Sequence, residues 1–176
     1  SDAPWPEHDA HLPLLSVAGA LGVTGATIPG DVPYLRVDPA RQAEAQAAIA
    51  ASEAAAAVTA TRPARRLRVG LAWAGNPRNV NDRRRSIDAA RFAPLLDVAG
   101  IAWYSLQRAV DEGAMQDLPA AAALTRLPLR DDFEAMAALV AGMDLVISVD
   151  TSIAHLAGAL GQRQARAHQE RRPVHR

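Results

Sequence analysis

The chain has 176 residues, about the length of one ordinary domain, and 49% of them are hydrophobic. Its 19 basic residues, all arginine, balance 19 acidic residues, so no net field draws the chain to nucleic acid or to an anionic membrane. The absence of cysteine excludes disulfides and thiolate chemistry, and the absence of lysine argues against a P-loop or a Schiff base.

The N-terminal third predicts loops followed by one helix. Residues 1–34 are punctuated by proline and glycine, which indicates loop with short elements. Asp38 and Pro39 form a typical helix start, and residues 40–58 are strong helix formers. Residues 59–66 read as a linker. We therefore expect residues 1–62 to hold the remnant of a preceding domain, a connecting helix and a linker.

Neither a membrane span nor a secretory signal is visible. The Ala-rich stretch over 43–58 carries Glu44, Gln46 and Glu53 and is shorter than the roughly 20 apolar residues that a span needs. The start of the chain has no basic or apolar signal region, so we expect a cytoplasmic protein. It also lacks an initiator Met, which suggests a fragment or a processed start.

The remaining chain alternates strand and helix patterns. Apolar runs predict strands over 67–73, 101–106, 124–127 and 145–149, separated by helices over about 86–98, 132–142 and 151–160. Such alternation predicts an α/β fold with a Rossmann-like parallel sheet over 63–161. Residues 162–176 are almost devoid of apolar side chains, so we expect a disordered polar tail that supplies no further buried strand.

The end of the last predicted strand is the strongest candidate site. Asp150, Thr151 and Ser152 follow the strand directly and begin a helix, whose free amides and positive dipole end suit a phosphate. His155 lies four residues after Thr151 and is expected on the same helical face. An N-cap with a surface histidine explains these residues equally well.

Two other strand ends carry weaker signals. Gly75 and Asn76 permit a tight turn or a close ligand approach, although a plain strand-ending turn is the favoured interpretation. Ser105 and Gln107 offer hydrogen bonds to a nucleoside or to nearby backbone. The arginines that follow Asp82 read as a solvated loop, or as phosphate ligands if a phosphate site is adjacent.

Two further chemistries are not expected. No Gly-x-Gly-x-x-Gly fingerprint is present, which argues against a dinucleotide-dependent oxidoreductase. His8, His11 and His155 match no metal-ligand spacing, and we predict that no metal is bound.

The ordered motifs resemble a known family. The blocks run LRVGLAWAGNP over 67–77, NDRRRS over 81–86, SLQ over 105–107, DF over 132–133, DLVISVDT over 144–151 and HLAGALG over 155–161. Together with residues 9–16 and 28–35, they resemble the glycosyltransferase-like C-terminal region of bacterial tetratricopeptide-repeat proteins. That region is similar to the heptosyltransferases, which have the GT-B fold.

The resemblance implies the C-terminal half of a GT-B glycosyltransferase, holding a nucleotide-sugar donor and no other cofactor. It implies that Asp150, Thr151, Ser152 and His155 face the donor diphosphate. By the same resemblance, the donor cleft is lined by Gly75, Asn76, Arg83 and Arg85, with Gln107 near the nucleoside. The acceptor would be a protein or a glycan, and the transferred sugar a hexose or a heptose.

The chain departs from the family pattern at both ends. Most of the N-terminal half is missing, and the polar tail replaces the Gly-x-Pro-Val strand expected after Gly161. We therefore expect an incomplete domain. Two functions remain open: a sugar-transferring module, or a non-catalytic fragment or scaffold that keeps the donor-binding fold.

Overall fold

The computed structural model describes residues 7–28, 30–59, 66–107, 123–127 and 132–168. The chain divides into two compact units, with the boundary between Asp31 and Val32. The first unit contains a 3-10 turn over Leu14–Ser16 and a short helix α1 over Val17–Ala20. Leu14 and Leu15 are almost fully exposed, and the described part of this unit has the loop-like character that its proline and glycine content predicts.

The second unit is built on a five-stranded sheet. The strands are β1 over Leu67–Ala72, β2 over Ile101–Ser105, β3 over Leu124–Thr125, β4 over Leu145–Ser148 and β5 over Gln164–Arg166. All pairings are parallel, in the order β3-β2-β1-β4-β5. The predicted Rossmann-like parallel sheet is therefore confirmed. The direction of winding reverses between β1 and β4, which is where open α/β sheets bind ligands.

Helices cover the sheet and fill the connections. Helix α2 spans Pro39–Thr59, α3 spans Asp82–Arg85, α4 spans Ala93–Leu96, α5 spans Phe133–Ala141 and α6 spans Ser152–Ala159. The helix predicted over 86–98 is shorter than expected, because a 3-10 turn over Ala89–Phe92 precedes α4. Gly161 has a φ of 73°, and this left-handed glycine ends α6 as predicted. Residues 108–122, between β2 and β3, lie outside the described residues.

The sheet separates two apolar layers. On one face Tyr104, Leu106 and Val146 pack with Ile49 of α2 and with α5 and α6. On the other face lie the side chains of Val69, Leu71, Phe92, Leu96 and Trp103. Alternate residues of each strand point to opposite faces, so the continuous apolar runs of the sequence correspond to strands that are buried on both sides.

Helix α2 belongs to the sheet unit. Asp38 caps it by accepting hydrogen bonds from the amides of Ala40 and Arg41 at 2.9 and 3.2 Å. Farther along, Ile49 is fully buried, and Glu53 forms a two-pronged ion pair with Arg68 of β1 at 2.7 and 2.9 Å. The long helix therefore packs on the sheet, and the division between the compact units falls at residue 31, inside the segment 1–62 that we expected to hold the remnant, helix and linker.

The C-terminal tail departs from its predicted disorder at its beginning. The amide of Val146 donates to the carbonyl of Arg163, and the amide of Ala167 donates to the carbonyl of Ser148, so β5 extends the sheet. All three residues of β5 are exposed. An edge strand is held by backbone hydrogen bonds and needs no apolar side chains, which is why the polar sequence concealed it. Residues 169–176 lie outside the described residues.

Candidate functional site

A cleft of about 880 Å³ opens at the carboxyl ends of β1, β2 and β4. Its volume falls within the range of small-molecule sites, roughly 300–1,000 Å³. Its position is the crevice where the winding of the sheet reverses. The walls come from three strand ends and the start of α5: Ala72, Ala74, Gly75, Asn76, Pro77, Arg78, Arg85, Leu106, Gln107, Asp132, Phe133, Met136, Thr151, Ser152 and Ile153.

The loop after β1 is fixed by the side chain of Gln107. Its Oε1 accepts hydrogen bonds from the amides of Trp73 and Ala74 at 3.3 and 3.1 Å, and its Nε2 donates to the carbonyl of Ala74 at 3.0 Å. The Gln107 side chain therefore joins the ends of β1 and β2. It lines the cleft as expected, but these bonds commit its carbonyl oxygen and one N–H to the protein backbone.

Gly75 allows two charged side chains to approach the loop closely. Its amide donates to Ser86 Oγ at 2.8 Å, and Ser86 Oγ donates to Asp82 Oδ1 at 2.8 Å. A Cβ atom at Gly75 would lie 2.6 Å from Asp82 Oδ1 and 2.8 Å from Arg85 Nε. A side chain at this position would therefore displace the Asp82 and Arg85 side chains, a close approach that the plain turn favoured from the sequence does not include.

Arg85 connects two edges of the cleft. Its Nε donates to Asp82 Oδ1 at 3.5 Å, and one terminal nitrogen donates to the backbone carbonyl of Asp150 at 3.4 Å. Its side chain is about a quarter exposed. A guanidinium has five N–H donors, so these two contacts leave further donors for a ligand. Arg85 thus brings a positive charge to the cleft beside the segment that precedes α6.

The N-terminus of α6 is open toward the cleft. Thr151 occupies the N-cap position, but its side chain caps no amide of the helix. Ser148 Oγ donates its only proton to the carbonyl of Val149 at 2.8 Å, so Thr151 Oγ1 donates to Ser148 Oγ at 3.1 Å. Within the described residues, the amides of Ser152 and Ile153 have no hydrogen-bond partner. Two free donors therefore lie at the positive end of the helix dipole.

The sequence did not identify the apolar part of the lining. Leu106, Phe133, Met136 and Ile153 all border the cleft, and Phe133 is 67% exposed. Asp132 caps α5, because its side chain accepts a 2.7 Å hydrogen bond from the amide of Ala135. The sequence offered one signal for this lining, which is that the large apolar residue Phe133 directly follows the cap of α5. A large apolar side chain at an exposed position is unusual.

The structure brings six of the nine predicted donor-site residues to the cleft: Gly75, Asn76, Arg85, Gln107, Thr151 and Ser152. Arg83, Asp150 and His155 do not line it. Asp150 is exposed and forms an ion pair with Arg166 at 3.6 Å. His155 is exposed because Ala154, Leu156 and Ala157 form the buried face of α6, so it does not share the cleft with Thr151.

Two perturbed ionisable groups lie away from the cleft, in the contacts between α2 and the sheet. Burial raises the pKa of Tyr104, and a 3.3 Å hydrogen bond with Ser52 opposes this shift. Pairing with Glu53 raises the pKa of Arg68. These groups stabilise the fold. Among the described residues, no cluster of three or more His, Asp or Glu side chains could hold a metal ion, and no helix has the length and apolarity to cross a bilayer.

Comparison with known proteins gives a partial family match. Residues 107–167, roughly a third of the chain, match the sequence model of glycosyltransferase family 9 (heptosyltransferase). A search of curated protein sequences gives no significant match.

Two solved structures share the fold. The ADP-heptose lipopolysaccharide heptosyltransferase II of E. coli superposes with a TM-score of 0.55 at 15% identity, over 85% of this chain and 44% of that one. E. coli heptosyltransferase WaaC, solved with ADP-2-deoxy-2-fluoro heptose, superposes with a TM-score of 0.50 at 20% identity, over 96% of this chain and 49% of that one. The chain thus spans less than half the length of these two enzymes, and it has the α/β fold of a corresponding part of the heptosyltransferases.

Proposed function

We propose that the chain binds a nucleoside-diphosphate sugar and serves as the donor-binding part of a glycosyltransferase. The observation that carries this proposal is the uncapped start of α6, where the amides of Ser152 and Ile153 open into the cleft between the strand ends. A diphosphate placed there would accept hydrogen bonds from both amides and lie at the positive end of the helix dipole.

The charges around the cleft fit the chemistry of glycosyl transfer. Breaking the bond between the sugar and the diphosphate adds negative charge to the leaving group. Arg85, held near the carbonyl of Asp150, would supply positive charge to the cleft that it lines. The diphosphate would thus bind at the polar part of the lining, and an aromatic base would pack against the apolar part, which includes Phe133.

The comparisons support this choice of ligand class. The WaaC structure contains an ADP-sugar analogue, and the partial family match covers the segment that includes β4 and α6. We further propose that the chain corresponds to the C-terminal half of such an enzyme, from the tetratricopeptide-repeat group that the motif order suggests. Arg83, Asp150 and His155 stay predicted donor contacts, although they do not line the cleft.

A titration tests the diphosphate assignment. We expect ADP or UDP to bind the full chain at least tenfold more tightly than the matching nucleoside. Arg85→Gln should weaken diphosphate binding about tenfold, because charge-assisted hydrogen bonds contribute about 1.5–3 kcal/mol. Arg91→Gln, an exposed arginine outside the cleft, is the matched control and should leave binding unchanged. Equal affinity for nucleoside and nucleoside diphosphate would contradict the proposal.

A non-catalytic donor-binding fragment is the second candidate. The chain spans 44% and 49% of the two heptosyltransferases, so this candidate assigns it donor binding without the activity of those whole enzymes. Release of free sugar from a nucleotide-sugar, measured over hours with the full chain, separates the two. Turnover that Arg85→Gln reduces and Arg91→Gln does not would favour the transferase, whereas binding without turnover would favour the fragment.

A further inference from the structure

A second cavity lies beside the cleft, and three of its eight lining residues are arginines. It measures about 380 Å³ and is bordered by Arg84, Arg85, Arg166 and His168, with one carboxylate, Asp150. We call it the basic cavity. The whole chain has equal numbers of acidic and basic residues, so this excess of positive charge is local.

The arginines of the basic cavity come from segments distant in sequence. Arg84 and Arg85 end α3, whereas Arg166 ends β5 and His168 follows it. The hydrogen bonds between β4 and β5 hold Arg166 and His168 beside Arg84 and Arg85, because the amide of Ala167 donates to β4 at 3.0 Å. The cavity therefore depends on the edge strand that the polar tail forms.

The one carboxylate does not neutralise the cavity. Asp150 approaches Arg166 at 3.6 Å, but both side chains are more than half exposed, and such pairs are weak. Asp82 partly offsets Arg85 through a 3.5 Å contact. Neither Asp82 nor Asp150 forms an ion pair with Arg84, so the positive charge of Arg84 stays available to an incoming anion.

We infer that the basic cavity binds an oxyanion, a phosphate or a carboxylate, carried by the second substrate. Arginine pairs such groups through two parallel hydrogen bonds, and Arg84 and Arg166 present two guanidinium groups to one cavity. Arg85 lines both the basic cavity and the cleft, so an anion bound here would lie next to the donor. The assignment of this anion to an acceptor rests on the proposed function; the binding of an anion does not.

The test uses the full chain with inorganic phosphate as the probe, followed by NMR or calorimetry, in the absence and presence of saturating ADP. We expect phosphate to bind in both conditions. The double variant Arg84→Gln/Arg166→Gln should weaken phosphate binding at least tenfold and change ADP binding less than threefold. Arg163→Gln is the matched control, because Arg163 is exposed near the opposite end of β5 and does not line the cavity.

The outcomes separate this inference from the proposed function. Phosphate binding that the double variant retains, or that ADP abolishes completely, overturns the basic cavity as a separate site. Failure of ADP to bind, with phosphate binding intact, contradicts the proposed function and leaves the anion site standing.

Two sugar probes then identify the anion. Tighter binding of glucose 6-phosphate than of glucuronate assigns the cavity to a phosphate, and the reverse order assigns it to a carboxylate. Binding of both sugars no better than glucose would overturn the assignment to a substrate. Thermal unfolding of each variant within a few degrees of the parent shows that loss of binding does not come from loss of the fold.

Discussion

A single negative charge at the start of α6 provides the sharpest test of the cleft. Ser152 occupies the first helical position, is exposed and lines the cleft. In Ser152→Asp, the new carboxylate would stabilise the helix by about 0.3–1 kcal/mol through the dipole. The same carboxylate would repel a diphosphate bound at the free amides. The variant should therefore be at least as stable as the parent and yet bind the ligand more weakly.

The size of the binding loss follows from the expected separation. A carboxylate about 5 Å from one phosphate charge costs about 0.8 kcal/mol in water and about 3 kcal/mol at an effective dielectric constant near 20. The cleft is open, so we expect a loss between these limits for each phosphate charge. Because about 1.4 kcal/mol corresponds to a factor of ten, ADP should bind roughly 5- to 150-fold more weakly.

Calorimetric titration of ADP at low and high salt measures this effect. Ser152→Asn has a similar size without the charge, and it should bind ADP within about threefold of the parent. Added salt should narrow the difference between the two variants, because salt screens exposed charges. If Ser152→Asp binds ADP as tightly as Ser152→Asn at low salt, the diphosphate does not lie at the start of α6.

Two more substitutions address the loop after β1 and the layer beneath α2. In Gly75→Ala, the new Cβ would lie 2.8 Å from Arg85 Nε, so the substitution should displace Arg85 and weaken ADP binding severalfold in titration. Gly25→Ala is the control, because no atom lies within 4 Å of a Cβ at that position, and it should leave ADP binding unchanged. The unfolding free energy should fall as the pH rises above about 10, since burial raises the pKa of Tyr104 above its unfolded value and the stabilisation disappears as the phenol ionises. Denaturant unfolding should show a flatter alkaline slope in Tyr104→Phe than in Tyr34→Phe, and equal slopes would contradict this cause.

Local sequence signals predicted the elements of the sheet unit well. The run before Asp150 is buried on both sides of the sheet and gave a clear strand, and the caps at Asp38 and Asp132 fixed two helix starts. The open start of α6 was one of the two interpretations that the turn after β4 allowed. These features depend on residues within a few positions of one another.

Features that depend on distant partners could not be predicted in the same way. The hydrogen bonds between Gln107 and Ala74 join residues 33 positions apart, and no hydrophobic periodicity in the sequence predicts them. The outward position of His155 depends on which face of α6 the sheet covers. The strand β5 has no apolar pattern, because its only requirement is an available edge of β4.

Because Gln107 fixes the loop after β1, some substitutions in the cleft are compatible with an unchanged fold. The side-chain amide of Gln107 forms these hydrogen bonds with main-chain atoms of residues 73 and 74. A substitution at Ala74 that fits the available space can therefore alter the shape and polarity of the cleft lining while the hydrogen bonds of Gln107 to the backbone stay in place. Ligand preference can diverge at this position while the supporting architecture is inherited intact, so differences in preferred substrate need not coincide with differences in fold.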